Sequence, residues 1–171
     1  MEEGNDVNLQ NEFGDTALHI QAKNKNRQAC INLLKDSKAN PNIQNKEGKT
    51  PLHIACELAN VGIVSNLLRY KADCDITDHL GNTPLLTLVV SGNTKSSATI
   101  AGTIVNRGAS PHVVNKEGRS LLHYAAIKGD SELIRMLLSL GLDPLRKDNN
   151  GQTPLDLALN EAIQQLLSPK T

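Results

Sequence analysis

Three of the five histidines stand at the same place in a recurring segment, and imidazole is a common metal ligand and acid–base catalyst. His19, His53 and His123 each lie three residues after a Thr or Ser. A shared metal or catalytic site would need these rings to converge, but equivalent positions of packed helical units lie roughly 10 Å apart. We therefore predict that each imidazole ties its own turn to the neighbouring one through hydrogen bonds.

Other residues with reactive side chains form no recognisable motif. His79 and His112 lie in different turns, with no cysteine or carboxylate at the spacing of zinc ligands. The nucleophile and phosphate-binding patterns GxSxG, GxxxxGK[ST] and GxGxxG are absent from the sequence. We expect no catalytic residues, no metal site and no cofactor, and therefore no enzymatic activity in this chain.

The three cysteines point to a reducing compartment. Cys30, Cys56 and Cys74 are odd in number, have no CxxC spacing, and fall in or beside apolar helical positions. Such isolated cysteines are usually buried free thiols. No signal peptide is visible, and the apolar run at 85–90 is far too short to cross a membrane. We expect an intracellular, cytoplasmic protein, with a nuclear location open and no direct membrane insertion.

Charge and composition exclude some partners. The chain has 18 basic and 18 acidic residues, so it carries no overall field that would attract nucleic acid. It holds only three aromatic residues, of which Tyr124 is expected to point inward and Tyr70 to close a helix. An aromatic cage for methylated lysine is therefore not expected. We expect a protein or peptide partner rather than nucleic acid, and a chain that is monomeric by itself.

The elements that position these residues are internal repeats. A segment of the form Gly-x-Thr/Ser-x-Leu recurs five times, starting at Gly14, Gly48, Gly81, Gly118 and Gly151, with steps of 34, 33, 37 and 33 residues. A near-constant period of this length indicates a solenoid, in which each unit buries its apolar face against its neighbours. The glycine suits a turn with positive φ, the Thr or Ser an N-cap, and the following Pro a first helical turn.

These segments, best seen in Gly48-Lys49-Thr50-Pro51-Leu52-His53-Ile54-Ala55, resemble the ankyrin repeat over nearly the whole chain. The resemblance implies an all-α ankyrin-repeat solenoid of stacked helix-turn-helix units joined by hairpin-like turns. It implies one domain, 1–171, with repeats at about 6–37, 38–71, 72–108, 109–141 and 142–167. The first unit starts like the end of a preceding turn, so either the natural chain starts here or, as we favour, an upstream segment has been removed.

Two units depart from the repeat pattern. The third holds four additional residues, for which we predict an insertion loop at 91–99 and a second helix from about Ser97 to Arg107. This loop is either a tolerated surface insertion or a contact loop. The fifth unit has lost its inter-helix loop, and its polar last helix, with Glu161, Gln164 and Gln165, fits a terminal cap.

The resemblance also implies a concave binding face made by the turn tips and the outer ends of the first helices. Apolar or charged residues occupy positions that this geometry leaves exposed, which indicates an apolar centre with a charged rim. The candidate partner-binding residues are Phe13, Lys49, Leu58, Leu80, Asn82, Val90, Arg119, Ile127 and Lys128.

Three functions remain open at this point. The chain is an adaptor, a scaffold or an inhibitor by occlusion that binds a protein on its concave face. Alternatively it is a targeting or regulatory domain of a larger multidomain enzyme or signalling protein. A third alternative is a structural spacer without a partner on that face.

Overall fold

The computed structural model describes residues 6–168 and contains nine α-helices and one short 3-10 helix within them. The α-helices are α1 Ala17–Lys23, α2 Arg27–Lys35, α3 Pro51–Glu57, α4 Val61–Arg69, α5 Pro84–Val90, α6 Ser97–Val105, α7 Leu121–Lys128, α8 Ser131–Ser139 and α9 Glu161–Leu167. Between residues 6 and 168 the only β-type pairing is an isolated bridge between Val114 and Ser120. The expected all-α solenoid is confirmed.

The helices form two rows that enclose a continuous aliphatic core. The first helices pack in series, α1 on α3, α3 on α5 and α5 on α7, and α2, α4, α6, α8 and α9 form the second row. Leucine, isoleucine, valine and alanine dominate the buried positions between the rows. Such small aliphatic residues suit helices that pack at close range. The described part of the chain has no helix long and apolar enough to span a membrane.

Local sequence decides where the helices begin. Thr16, Thr50 and Ser120 are N-caps in extended conformation, and each forms a capping box with the histidine three residues later. Pro residues occupy the first position of α3 and α5, where a missing N–H costs nothing. The second helices α2, α4 and α8 instead have Asn or Asp caps, whose side chains accept a backbone N–H of the first turn.

The three equivalent histidines tie neighbouring units together, as the sequence predicts. Nδ1 of His53 accepts the backbone N–H of Thr50 at 3.1 Å, so Nε2 carries the proton. This Nε2 donates to the carbonyl oxygen of Asn82 in the next unit at 3.0 Å. His19 and His123 donate in the same way to the carbonyls of Lys49 and Gln152, also at 3.0 Å.

The insertion in the third unit is shorter as a loop than expected. Residues 97–99 belong to α6, and Thr94–Ser96 form the 3-10 helix, so only residues 91–93 are irregular. Ser97 Oγ donates to Asp130, the N-cap of α8 in the next unit. This bond fixes the first residue of α6 against a neighbouring N-cap, at the start that the sequence predicts.

The first helix expected in the fifth unit does not form. Residues 154–157 make turns instead, and Asp156 stands where three other units have histidine. The Asp156 carboxylate accepts from the backbone N–H and the hydroxyl of Thr153, both at 2.8 Å. Leu159 then donates its backbone N–H to the carbonyl of Ala126, which draws the shortened segment onto α7. The polar residues of α9 are exposed, as a terminal helix requires.

We predict that the free energy of unfolding falls as the pH is lowered from 7.5 to 5.5. Burial lowers the pKa of His19, His53 and His123 below the value of about 6.5 that they regain on unfolding. The unfolded chain therefore takes up protons first, and stability is lost as the pH falls through this range. Urea denaturation at several pH values measures the effect.

His53→Leu provides the matched variant, because Leu86 naturally occupies this position in the third unit. This substitution should lower the free energy of unfolding by about 2 kcal/mol at pH 7.5. The reason is that the buried N–H of Thr50 and carbonyl of Asn82 lose their hydrogen bonds to the imidazole. The free energy of unfolding of the variant should also depend less on pH than that of the unmodified chain. An unchanged slope would contradict the assignment of neutral, hydrogen-bonded imidazoles.

Candidate functional site

The turn tips are rigid hairpins, each held by one Asn or Asp side chain. In the second unit Oδ1 of Asn45 accepts the backbone N–H groups of Glu47 and Lys49, both at 3.0 Å. The Asn45 backbone N–H donates to the Lys49 carbonyl at 2.9 Å and closes the hairpin. Asn11, Asp78, Asn115 and Asp148 hold the other four tips in the same way. The tips are therefore preformed.

Main-chain hydrogen bonds link each tip to the next. In each tip after the first, the residue after the Asn or Asp donates its backbone N–H to a carbonyl of the preceding tip, at 3.0 to 3.1 Å. That carbonyl belongs to the residue before the glycine. The four pairs are Lys46 to Phe13, His79 to Glu47, Lys116 to Leu80, and Asn149 to Glu117. This ladder leaves the side chains of Phe13 and Leu80 on the surface, with exposed fractions of 62% and 67%.

Three adjoining cavities lie beside the second and third tips, and we call them together the central groove. Their volumes are about 240, 110 and 310 Å³, and Lys49 lines all three. Leu58 and Ile54 line the first cavity, Val90 and Thr87 the second, and Leu80 the second and third. The central groove thus joins turn tips to the outer ends of α3 and α5.

The structure brings four of the nine candidate residues together in the central groove with free surface. Leu80 is exposed, whereas Lys49, Leu58 and Val90 are half-buried. The other candidates with accessible side chains lie outside it. These are Phe13 on the first tip and Arg119, Ile127 and Lys128 in the fourth unit.

The prediction that Asn82 is an exposed contact residue is wrong. Its side chain is only 4% exposed. Its Oδ1 accepts from Asn115 Nδ2 at 3.2 Å, and its Nδ2 donates to Asp78 at 3.3 Å. A short amide at this place bridges two tips, and from this buried position Asn82 lines the second cavity of the groove. Asn82 therefore supports the wall of the central groove from inside.

Tyr124 also lies elsewhere than expected. It is half-buried rather than inward, and its hydroxyl accepts from Asn115 Nδ2 at 2.9 Å and donates to Glu117 at 3.1 Å. The equivalent residues Ile54 and Thr87 line the central groove. In the second, third and fourth units, the position after the repeat's histidine or its equivalent Leu86 therefore faces the concave side. It holds Ile54, Thr87 and Tyr124 in the three central units, and it is not among the candidate contact residues predicted from the sequence.

Ion pairs engage basic side chains both in the central groove and in the fourth unit. Lys49 Nζ lies 3.0 Å from carboxylate oxygens of both Glu47 and Glu57. Burial opposes its charge, yet hydrogen bonds to Glu57 and Glu47 hold the pKa of Lys49 above its ordinary value. In the fourth unit Arg119 donates from Nε to Asp148 at 3.1 Å, which raises the pKa of the guanidinium, and lies over the Tyr124 ring. These basic side chains are already engaged by the protein.

The arrangement suits binding better than catalysis. Ser120 Oγ lies 2.8 Å from His123 Nδ1, a distance typical of a nucleophile and its base. Both residues are buried, with exposed fractions of 5% and 0%, and their contact is the capping box of α7. No substrate reaches this pair. Within residues 6–168, His, Cys, Asp and Glu side chains form no group of three that could hold a metal ion.

Comparison with known families finds ankyrin repeats from residue 1 to residue 158. A family model described as ankyrin repeats in three copies matches residues 1–78 and 22–108. A second, described as ankyrin repeats in many copies, matches residues 104–158.

Curated relatives include much longer proteins. The chain is 32% identical over 149 residues to tyrosine-protein kinase HTK16 of Hydra vulgaris, covering 85% of this chain and 19% of the kinase. It is 35% identical over 158 residues to neurogenic locus notch homolog protein 1 of Danio rerio, covering 88% and 6%. It is 32% identical over 104 residues to NF-kappa-B inhibitor delta of Mus musculus, covering 58% and 31%. The chain spans less than a third of each of these relatives.

We predict that Gly48→Ala destabilises the protein more than Gly151→Ala. Both glycines have nearly the same positive φ, 77° and 78°, so the cost of that conformation is shared, about 1–2 kcal/mol. A Cβ on Gly48 would lie 2.8 Å from the backbone nitrogen of His79, whereas one on Gly151 meets nothing within 4 Å. The additional cost should be about 1–3 kcal/mol. Urea denaturation measures both, and equal losses would contradict close packing of neighbouring tips.

Proposed function

The chain belongs to the ankyrin repeat family, whose members generally serve as protein–protein interaction modules, and on that premise we propose that it binds a protein or peptide partner on its concave face. Its role in that case is that of an adaptor, a scaffold or an inhibitor that occludes a surface of its partner. The central groove is the proposed centre of contact.

One observation carries this proposal: an exposed Leu80 beside half-buried Leu58 and Val90, in a groove whose rim holds Lys49 and Glu57. Protein interfaces combine an apolar centre with a polar rim in this way. Because the tips are fixed by side-chain and main-chain hydrogen bonds, the groove loses little conformational freedom when it binds. Phe13, Arg119, Ile127 and Lys128 flank this centre, and the concave positions of Ile54 and Tyr124 add to it.

The setting of the interaction is also part of the proposal. We propose one domain over 1–171, monomeric by itself and located inside the cell, in the cytoplasm or the nucleus. The free, buried thiols of Cys30, Cys56 and Cys74 fit a reducing compartment. The proposed role is non-enzymatic and involves no nucleic acid, since the formal charge of the chain is balanced.

A second candidate is a targeting or regulatory array within a larger protein. The matches to a tyrosine-protein kinase and a notch homolog, of which the chain spans 19% and 6%, favour this candidate. In such a protein the concave face would bind either another domain of the same chain or a separate partner. The central groove has the same use in both cases.

We predict that Leu80→Glu strongly weakens partner binding without unfolding the chain. The substitution removes apolar contact area from the centre of the groove and adds a charge that loses water on binding, which should weaken binding at least about tenfold. Leu9→Glu is the matched control, because Leu9 is also 67% exposed but lies in the first turn, outside the central groove. Affinity capture from intracellular extract, followed by mass spectrometry, compares the two variants with the unmodified chain.

The expected result is a protein retained by the unmodified chain and by Leu9→Glu, but lost by Leu80→Glu. Circular dichroism and urea denaturation check that all three chains are equally folded. Equal retention by both variants would rule out the central groove as the binding site. If the unmodified chain retains nothing, the spacer role replaces the proposed one.

A further inference from the structure

Asp78, inside the central groove, is a buried carboxylate without a cationic partner in the described part of the chain. Its side chain is 6% exposed and accepts from the backbone N–H groups of Leu80 and Asn82 at 2.9 and 2.8 Å. Its second oxygen accepts only from Asn82 Nδ2, at 3.3 Å. Buried charges are normally paired as well as hydrogen-bonded. Asp78 retains the capacity to accept further donors.

The corresponding carboxylate in the fifth unit shows what is missing. Asp148 has the same two backbone bonds, and its second oxygen accepts from Arg119 Nε at 3.1 Å. Arg119 is the residue after the glycine of the preceding unit, and Lys49 is its equivalent beside Asp78. Lys49 turns instead to Glu47 and Glu57. The ion pair that Arg119 and Asp148 form between the fourth and fifth units therefore has no counterpart between the second and third units.

Thr87 provides a second, independent observation at the same place. It lines the cavity of about 110 Å³ that Asp78 and Lys49 also line. Although its side chain is only 6% exposed, the hydroxyl has no hydrogen-bond partner. Helical threonines commonly bond a carbonyl four residues back, as Thr103 does with Thr99 at 2.8 Å. Leaving a buried hydroxyl unpaired is costly, so a group that bonds it there gains affinity.

The remaining walls of this cavity are apolar, acidic or neutral polar, the last from Asn82 and Ser91. Leu80 and Val90 provide the apolar part, and Glu57 adds a second carboxylate. A volume of about 110 Å³ is below that of ordinary small-molecule sites, roughly 300 Å³ or more, but suits one inserted side chain. Two of the three charged residues that line it are acidic, which disfavours an anionic occupant.

We propose that this cavity receives an arginine side chain of the protein partner. Its aliphatic stem packs on Leu80 and Val90, and its guanidinium donates to Asp78 and Thr87. Arginine fits better than lysine because its planar group presents five donors to acceptors that come from a turn and from a helix. The inserted guanidinium pairs with the buried Asp78 carboxylate, as Arg119 pairs with Asp148 in the fifth unit. This inference rests on the proposed function and names the feature that the concave face recognises.

The test uses N-acetyl-arginine methylamide as the probe and the citrulline analogue, which is neutral and nearly isosteric, as its control. Methyl NMR spectra of the full chain are recorded during titration with each. We expect the arginine probe to shift the methyl signals of Leu80, Val90 and Thr87 in a saturable manner, with the citrulline probe about tenfold weaker. Equal shifts with both probes, or shifts elsewhere in the chain, would overturn the proposal.

Two variants sharpen the result. Asp78→Asn removes the charge and preserves the tip, since Asn45 and Asn115 hold equivalent tips, and it should reduce arginine affinity about tenfold. Thr87→Val removes only the hydroxyl and should reduce it about fivefold. Asp143→Asn makes the same charge change at an exposed carboxylate outside the groove and should leave affinity unchanged. Wild-type affinity in a folded Asp78→Asn chain contradicts the proposal.

The same variants separate this inference from the proposed function. A captured partner that depends on Leu80 but not on Asp78 or Thr87 leaves the concave interface standing and overturns the arginine site. If the chain binds arginine specifically at Thr87 but Leu80→Glu does not affect capture of the partner, the cavity binds arginine and the concave interface with that partner is overturned.

Discussion

One backbone hydrogen bond between successive turn tips sets the geometry of the whole concave face. At each step the carbonyl before the glycine accepts an N–H of the next tip, at 3.0 to 3.1 Å. The bond requires two backbones to approach closely, which explains why a Cβ on Gly14 or Gly48 would collide with the following unit. Side chains on the tips are thereby held at a fixed spacing, and the helices behind them inherit the same period.

The side-chain hydrogen bonds and ion pairs between units differ from one step to the next, whereas this backbone bond is constant. The difference coincides with the position of the central groove. The first and second units are joined by His19 and by Asn45, which donates to Asp15. The second and third retain the histidine tie through His53 but lack the tie from the tip carboxylate. The central groove opens at this step. Where every polar group between units is paired, few hydrogen-bonding groups are available to a partner. Where one contact between units does not form, polar groups stay unpaired at a preformed surface.

Local features were predictable from the sequence because they depend on residues a few positions apart. The capping boxes, the histidine ties and the repeat register follow from Thr or Ser, Leu and His at constant spacing. Contacts that depend on a choice between partners were not predictable. Asn82 occupies a position exposed by repeat geometry, yet its short amide finds Asn115 and is buried. The turn in place of the fifth unit's first helix likewise depends on a bond to α7 that no local pattern encodes.

If a partner contacts the tip of the third unit, site-specific photocrosslinking at that tip captures it. Leu80→p-benzoyl-phenylalanine and, as control, Leu9→p-benzoyl-phenylalanine place a photoreactive group at two equally exposed positions. Both chains are expressed in cells that naturally contain the protein, irradiated and analysed by mass spectrometry. We expect a covalent adduct to one polypeptide from position 80 and none from position 9. An adduct from position 9 alone, or none from position 80, would contradict this expectation.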